Sequence, residues 1–238
     1  MAKKKFLKGI VDGFPICIGY FSVAFAFGIF AVSKGLTSIE ALLISMTNVT
    51  SAGQLAAVPI IADGGTLLEL AATQIVINLR YALMSISLSQ KFDKNITLPH
   101  RFAIAFVNTD EVFAVASSKK GNVDKFYMYG LIVTPFLGWS AGTIIGAVAG
   151  DILPAIITNS LNIAIYGMFI AIVVPEIKIS RSVFACVLIS VALSCAFYFL
   201  PFLSKVPSGF SIIICALVSA AIMAVAAPIN VEEDDSNV

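Results

Sequence analysis

Charge is scarce in this sequence. Only 12% of its 238 residues are Asp, Glu, Lys or Arg, against 59% hydrophobic, where a soluble domain carries about 25% charged residues. A net charge of +1 leaves no basic face for nucleic acid, which excludes that class of partner. Histidine is almost absent. The one copy, His100, sits beside Arg101 in a short polar stretch, which argues against a Ser–His pair at depth. No His-Glu-x-x-His zinc helix and no Gly-x-x-x-x-Gly-Lys phosphate loop occur. The four cysteines, Cys17, Cys186, Cys195 and Cys215, lie inside apolar runs without metal-type spacing, so they read as packing residues. Neither a metal nor a cofactor is expected. Without a phosphate loop, any energy the protein uses would come from a gradient or from another chain.

What the sequence has is long apolar runs, with a mean hydropathy of +0.97. A spanning helix needs about 20 apolar residues, and such runs cover 12–33, 66–90, 125–150, 158–177, 182–203 and 209–228. The basic start, Met1-Ala-Lys-Lys-Lys, leads into an apolar stretch that continues past Gly28, which reads as a retained first span rather than a signal peptide. Two further stretches, 39–62 and 102–118, are apolar but interrupted at their middle by polar residues. The expectation is an all-α, polytopic membrane bundle of about six full spans plus two broken or re-entrant segments. Residues 1–230 would form one transport domain, followed by an acidic tail at 231–238.

The two interrupted stretches carry the polar chemistry. The first reads Ser45-Met-Thr-Asn48-Val-Thr50-Ser51-Ala-Gly53-Gln54, and the second Asn108-Thr109-Asp110-Glu111. Hydroxyls and amides at such depth are costly unless buried in protein or lining a cavity. Hydroxyls can bond back to helix carbonyls, but the amides of Asn48 and Gln54 need other partners. Between the two lies Gln74-Ile-Val-Ile-Asn78-Leu-Arg80-Tyr81. On a helix, Gln74, Asn78, Tyr81 and Ser85 share one face, while Thr73, Arg80 and Ser87 share another. A span with two polar stripes should be surrounded by protein or water over most of its circumference. Ionisable groups at depth cost about 2.5–3.5 kcal/mol each, so Arg80 is expected to pair with Asp110 or Glu111. Either carboxylate is also a candidate for proton coupling. Pro59 in the first stretch is a candidate helix break.

Loop charges bear on whether these stretches cross the membrane. If all eight apolar segments span, one side holds nine basic residues (3, 4, 5, 8, 119, 120, 125, 178, 181) and the other five (34, 91, 94, 101, 205). If both interrupted segments re-enter, positions 91, 94 and 101 change sides and the split becomes 12 to 2. The positive-inside rule favours re-entry. In the 125–150 span, Gly138, Gly142, Gly146 and Gly150 recur at spacings of four and define a face for close helix packing.

Five elements in order carry a resemblance. Ser51-Ala-Gly53-Gln54 is followed about two dozen residues on by Asn78-Leu-Arg80. Next come Thr109-Asp110-Glu111-Val-Phe113, then Trp139-Ser-Ala-Gly142-Thr143 with Gly146, then Met168-Phe-Ile-Ala171 before Pro175. From about residue 8 to 228 the chain resembles the AzlC-type branched-chain amino-acid permeases. Two positions depart from that pattern: Thr50 and its small neighbours replace an aromatic before Gly53-Gln54, and Tyr81 stands where a His is frequent. They bear on the substrate more than on the fold. The resemblance implies export of branched-chain amino acids across a bacterial inner membrane, with a small AzlD-type membrane subunit and both termini cytoplasmic. Asn48, Ser51, Gly53, Gln54, Asn78, Arg80 and Trp139 are then the expected solute contacts, and Asp110 and Glu111 the coupling groups. A passive channel is the competing reading. An intramembrane enzyme is disfavoured, because neighbouring carboxylates on a helix point about 100° apart.

Overall fold

The computed structural model describes residues 2–227, and for several residues between 151 and 172 it describes the backbone alone. The acidic tail expected at 231–238 lies outside the described residues. All regular elements among those described are helices, apart from a single bridge between Phe92 and Val123. In chain order they are α1 (Ala2–Ser33), α2 (Ser38–Thr47), α3 (Ser51–Ala62), α4 (Leu67–Ser89) and α5 (Leu98–Ala105). There follow α6 (Asp110–Ser117), α7 (Lys125–Ile152), α8 (Ala155–Ile179), α9 (Arg181–Phe199) and α10 (Ser208–Ala226). Five of them, α1, α4, α7, α9 and α10, are long and apolar enough to cross a membrane. The sixth expected span corresponds to α8, 25 residues long. The protein is an all-α, multi-pass membrane protein.

The chain divides into two compact units, residues 1–167 and 168–238. The second is a helical pair: α9 and α10 pack together, with Gly209, Cys215 and Ser219 of α10 buried. Ser219 returns its hydroxyl to the Cys215 carbonyl at 2.6 Å, which removes an unpaired polar group from an apolar helix.

The first unit is built on α1 and α7. The spacing-of-four glycines of α7 lie against the backbone of α1, so that a Cβ on Gly138, Gly142 or Gly146 would come within 2.6, 2.4 or 2.0 Å of the carbonyl oxygens of Cys17, Phe21 and Phe25. On α1, Gly9 and Gly28 approach Tyr127 and Thr143 as closely. Residue numbers rise together on both helices, so α1 and α7 run parallel. Lipid tails give apolar faces no reason to prefer one another, so close backbone approach through small residues drives such pairing. At their N-terminal end Lys5 meets Asp124 at 3.0 Å and Lys119 meets Asp12 at 2.6 Å.

Both interrupted stretches are broken helices. The first breaks at 48–50, between α2 and α3, and the second at 106–109, between α5 and α6. Thr50 and Thr109 take the extended N-cap conformation at the second arm of each, a position Thr favours over the helix interior. Pro59 does not mark the break: α3 runs through it.

Both broken segments fold back on themselves as hairpins. The end of α4 and the start of α7 are tied together: Asp93 N–H donates to the Val123 carbonyl at 3.1 Å, and Val123 N–H donates to that of Lys91 at 2.7 Å. The Lys91 ammonium also donates to the carbonyls of Ser117 and Lys119. The α5–α6 hairpin therefore enters and leaves at the basic end. The α2–α3 hairpin does so at the other end. It starts within five residues of the end of α1 and finishes against the start of α4, where a Cβ on Gly65 would touch Ile60 and Glu69. On its outer side α4 presents Ile75, Leu79, Leu83 and Ile86, all exposed on this unit, so within it only one side of the helix is enclosed by protein.

Candidate functional site

The two hairpins enter from opposite ends, and their tips meet about halfway along the bundle. Tyr20 lies 18 residues into α1 and Trp139 lies 14 residues into α7, which puts them roughly 27 and 21 Å from the basic end at 1.5 Å per residue. The Tyr20 and Trp139 rings pack edge to face, 5.1 Å between centroids. Tyr20 donates its hydroxyl to Glu111 at the start of α6.

Between the tips is a cavity of about 160 Å³, lined by Thr47, Asn48, Val49, Thr50, Asn78, Tyr81, Ala105, Phe106, Asn108 and Thr109. Each break supplies an Asn followed by a Thr cap, and α4 supplies the third wall. Because α3 and α6 both begin here, two helix N-termini open toward the space, and such ends carry unpaired N–H groups and partial positive charge. Thr109 makes no capping bond to its helix. Asn78 and Asn108 each have a side-chain carbonyl oxygen buried without a partner among the described residues. Buried polar atoms are mostly paired; Thr109 Oγ1 in the same lining is also without a partner, as are Gln54 Oε1 and Trp139 Nε1 outside it, among the described residues.

Behind the lining is a network that holds the tips. Asn48 Nδ2 donates to Gln74 Oε1 at 2.9 Å, and Asn78 Nδ2 donates to the same oxygen at 3.2 Å. Gln74 Nε2 donates to the Gly53 carbonyl at 2.9 Å. A Cβ at Gly53 would stand 2.6 Å from Gln74 Oε1 and 2.8 Å from Thr50 Cγ2, so the tip can approach α4 only through a glycine. Gln54 Nε2 donates to Ser45 Oγ at 2.9 Å, and Ser45 shares a hydrogen with Thr143 of α7 at 2.6 Å. Asn108 Nδ2 donates to Ser85 at 3.0 Å. Both hairpins are thereby bonded to α4, and both also to α7, the first through Ser45 and Thr143 and the second through His100 Nδ1 and the Tyr129 hydroxyl at 2.7 Å.

The charges stand to one side. Arg80 meets Asp110 at 2.7 Å, donates to the Tyr81 hydroxyl at 2.9 Å and lies 4.6 Å over the Tyr81 ring. The Arg80 and Asp110 side chains are 50% and 45% exposed on this unit. Glu111 faces the Tyr20 hydroxyl and has no cationic partner among the described residues. Of the residues the sequence nominated as solute contacts, Asn48 and Asn78 line the cavity. Gly53 and Gln54 brace it from behind, Ser51 begins α3, Trp139 supports Tyr20, and Arg80 is engaged with Asp110.

Residues 15–153 match the model of the family described as AzlC protein. The chain belongs to the AzlC family. It is 33% identical to an uncharacterized membrane protein of Archaeoglobus fulgidus over 175 residues, covering 73% of this chain and 76% of that one. It is 31% identical to the inner membrane protein YgaZ of Escherichia coli over 150 residues, 61% of each chain. No solved structure matches. The AzlC match covers both hairpins, α4 and all of α7, so it contains the whole cavity. It makes the chain a multi-pass member of a transport-associated membrane family.

The nominated solute contacts did not include Thr47, Val49, Thr50, Tyr81, Ala105, Phe106, Asn108 or Thr109, which also line the cavity, although Thr47–Thr50 and Asn108–Thr109 lie in the two polar interruptions already singled out. For Asn108 and Thr109 a signal was present: Asn-Thr immediately before an acidic pair is a helix-start pattern, and a helix start in mid-membrane is a solute site in many transporters. Nothing in the sequence marks Ala105 or Phe106.

Proposed function

We propose that this AzlC protein exports branched-chain or similar aliphatic amino acids, coupled to a proton gradient and working with a small AzlD-type subunit in a bacterial inner membrane. The observation that carries the proposal is the polar cavity between two oppositely directed hairpin tips. A zwitterion suits it. The carboxylate would take the first-turn N–H groups of α3 and α6, where the helix ends favour an anion. The ammonium would take the unpaired oxygens of Asn78 and Asn108, and the aliphatic chain would rest on Val49, Ala105 and Phe106. Arg80, already paired, is an unsuitable carboxylate receptor and serves to hold α6 against α4.

Glu111 is the better proton carrier of the two acids, since Asp110 is engaged by Arg80 at 2.7 Å while Glu111 faces only the Tyr20 hydroxyl. An ion pair at mid-membrane cannot stay half-exposed to lipid, which supports a covering subunit or a water path beside α4 and α6. The excess of lysine at the end where the α5–α6 hairpin enters supports a cytoplasmic position for that end and for the N-terminus.

The test is leucine, isoleucine and valine efflux from proteoliposomes, with and without the small subunit. Asn78→Ala and Asn108→Ala should raise KM at least tenfold, and Glu111→Gln should abolish the pH dependence of the rate while leaving counterflow. Unsaturable flux without counterflow would make the protein a channel. Unchanged KM in both Asn variants would remove the cavity from the pathway.

A further inference from the structure

Away from the central cavity, at the end where α1 and α7 begin, is a second cavity of about 210 Å³. It is lined by Lys5, Lys8, Asp93, Lys119, Lys120, Asn122, Val123, Asp124 and Tyr127. Four lysines face two aspartates, a surplus of +2 (4 − 2) in the lining. Asp124 in the lining and Asp12 behind it are paired, while the Asp93 carboxylate has no ion-pair partner among the described residues. Asp124 is bound by Lys5 at 3.0 Å, and Asp12 just behind is bound by Lys119 at 2.6 Å and by the Tyr127 hydroxyl at 2.8 Å. Lys8 and Lys120 have no ion-pair partner among the described residues. The site lies at the level where two spans leave the apolar region, which is where lipid phosphates sit, and basic pockets between spans at that level take anionic headgroups.

We infer that this cavity binds the phosphodiester of an anionic membrane lipid. Its walls come from three parts of the fold: the starts of α1 and α7, the exit of the α5–α6 hairpin at Lys119, Lys120 and Asn122, and its entry at Asp93. A phosphate held by Lys8 and Lys120 bridges α1 to the hairpin exit. Anionic lipid therefore clamps the base of the hairpin whose tip, 106–109, lines the central cavity. Headgroup composition then acts on the protein through this contact and not only through general attraction to basic loops.

The experiment is a melting-temperature measurement on the full chain in neutral detergent with added phosphatidylglycerol, phosphatidylcholine or sodium phosphate. Binding at many times the dissociation constant should raise Tm by about 4 °C for a chain of this size. Phosphatidylglycerol should give that shift and phosphatidylcholine none. Lys8→Gln with Lys120→Gln should lose most of it. Lys3→Gln with Lys94→Gln, the same charge change at the same end but outside the cavity, should keep it. The single Lys8→Gln and Lys120→Gln variants give the same comparison if the double variant does not accumulate. An equal shift from sodium phosphate, lost in the same double variant, retains the cavity as the anion site and overturns the lipid as its occupant. Equal shifts from both lipids, no shift at all, or equal losses in the two double variants would each overturn the proposal.

Discussion

Replacing Gly146 by alanine tests the α1–α7 seam on which the first unit is built. An alanine Cβ there would lie 2.0 Å from the Phe25 carbonyl oxygen, whereas ordinary contact begins near 3.4 Å. Relief needs a separation of about 1.4 Å (3.4 − 2.0), and a gap near 1 Å already forfeits up to half of each dispersion contact along the face. Overpacking of this kind costs about 1–3 kcal/mol. The better helix propensity of alanine returns roughly 0.8–1 kcal/mol; with a backbone contact as short as 2.0 Å the overpacking cost lies at the upper end of its range, for a net loss of about 2 kcal/mol. Gly19 supplies the control on α1 itself, because a Cβ there meets nothing within 4 Å. Gly19→Ala should collect the propensity gain alone and come out neutral or stabilised by up to about 1 kcal/mol. Equilibrium unfolding in mixed micelles of increasing SDS fraction, followed by tryptophan fluorescence from the buried Trp139, reads both. Wild-type stability in Gly146→Ala, or a larger loss in Gly19→Ala than in Gly146→Ala, would refute the seam.

In a background without Cys17, Cys186, Cys195 and Cys215, cysteines at positions 91 and 120 should react with an impermeant maleimide from the same side of the membrane, and one at position 35 or 64 from the other. Labelling of 91 and 120 from opposite sides would mean that the α5–α6 segment crosses. Thr143→Val keeps side-chain volume but removes the bond to Ser45, so it should cost about 0.5–2 kcal/mol in the same unfolding assay, and no loss would show that Ser45 is satisfied elsewhere. Burial pushes the Asp124 carboxyl up, but the Lys5 ammonium and the Phe126 N–H outweigh it and hold the group below its ordinary value. The stability it supplies is present above the ordinary carboxylate range, near pH 4, and is lost as pH falls through the lowered value. Lys5→Gln should therefore flatten the stability profile below about pH 4, and an unchanged acid slope would count against the contact.

The family, the helical class and the six runs long enough to span were legible in the sequence, because apolar length against bilayer thickness is a local property. So were the two polar interruptions, since Asn and Thr disfavour helix interiors wherever they sit, and the loop lysines already favoured re-entry. The glycine spacing marked a face on α7 but could not name α1 as its partner or make the pair parallel. Only tertiary structure decided which polar residues meet. Arg80, expected both as a solute contact and as a partner of Asp110 or Glu111, meets Asp110. Asn108 and Thr109 face Asn48 and Thr50 because one hairpin enters from each end of the bundle. Ala105 and Phe106 complete the wall with no local signal at all. Periodicity reports which face of a helix is apolar, whereas a site between two hairpin tips depends on where chains 60 residues apart come to rest, and that is set by the packing of α1, α4 and α7.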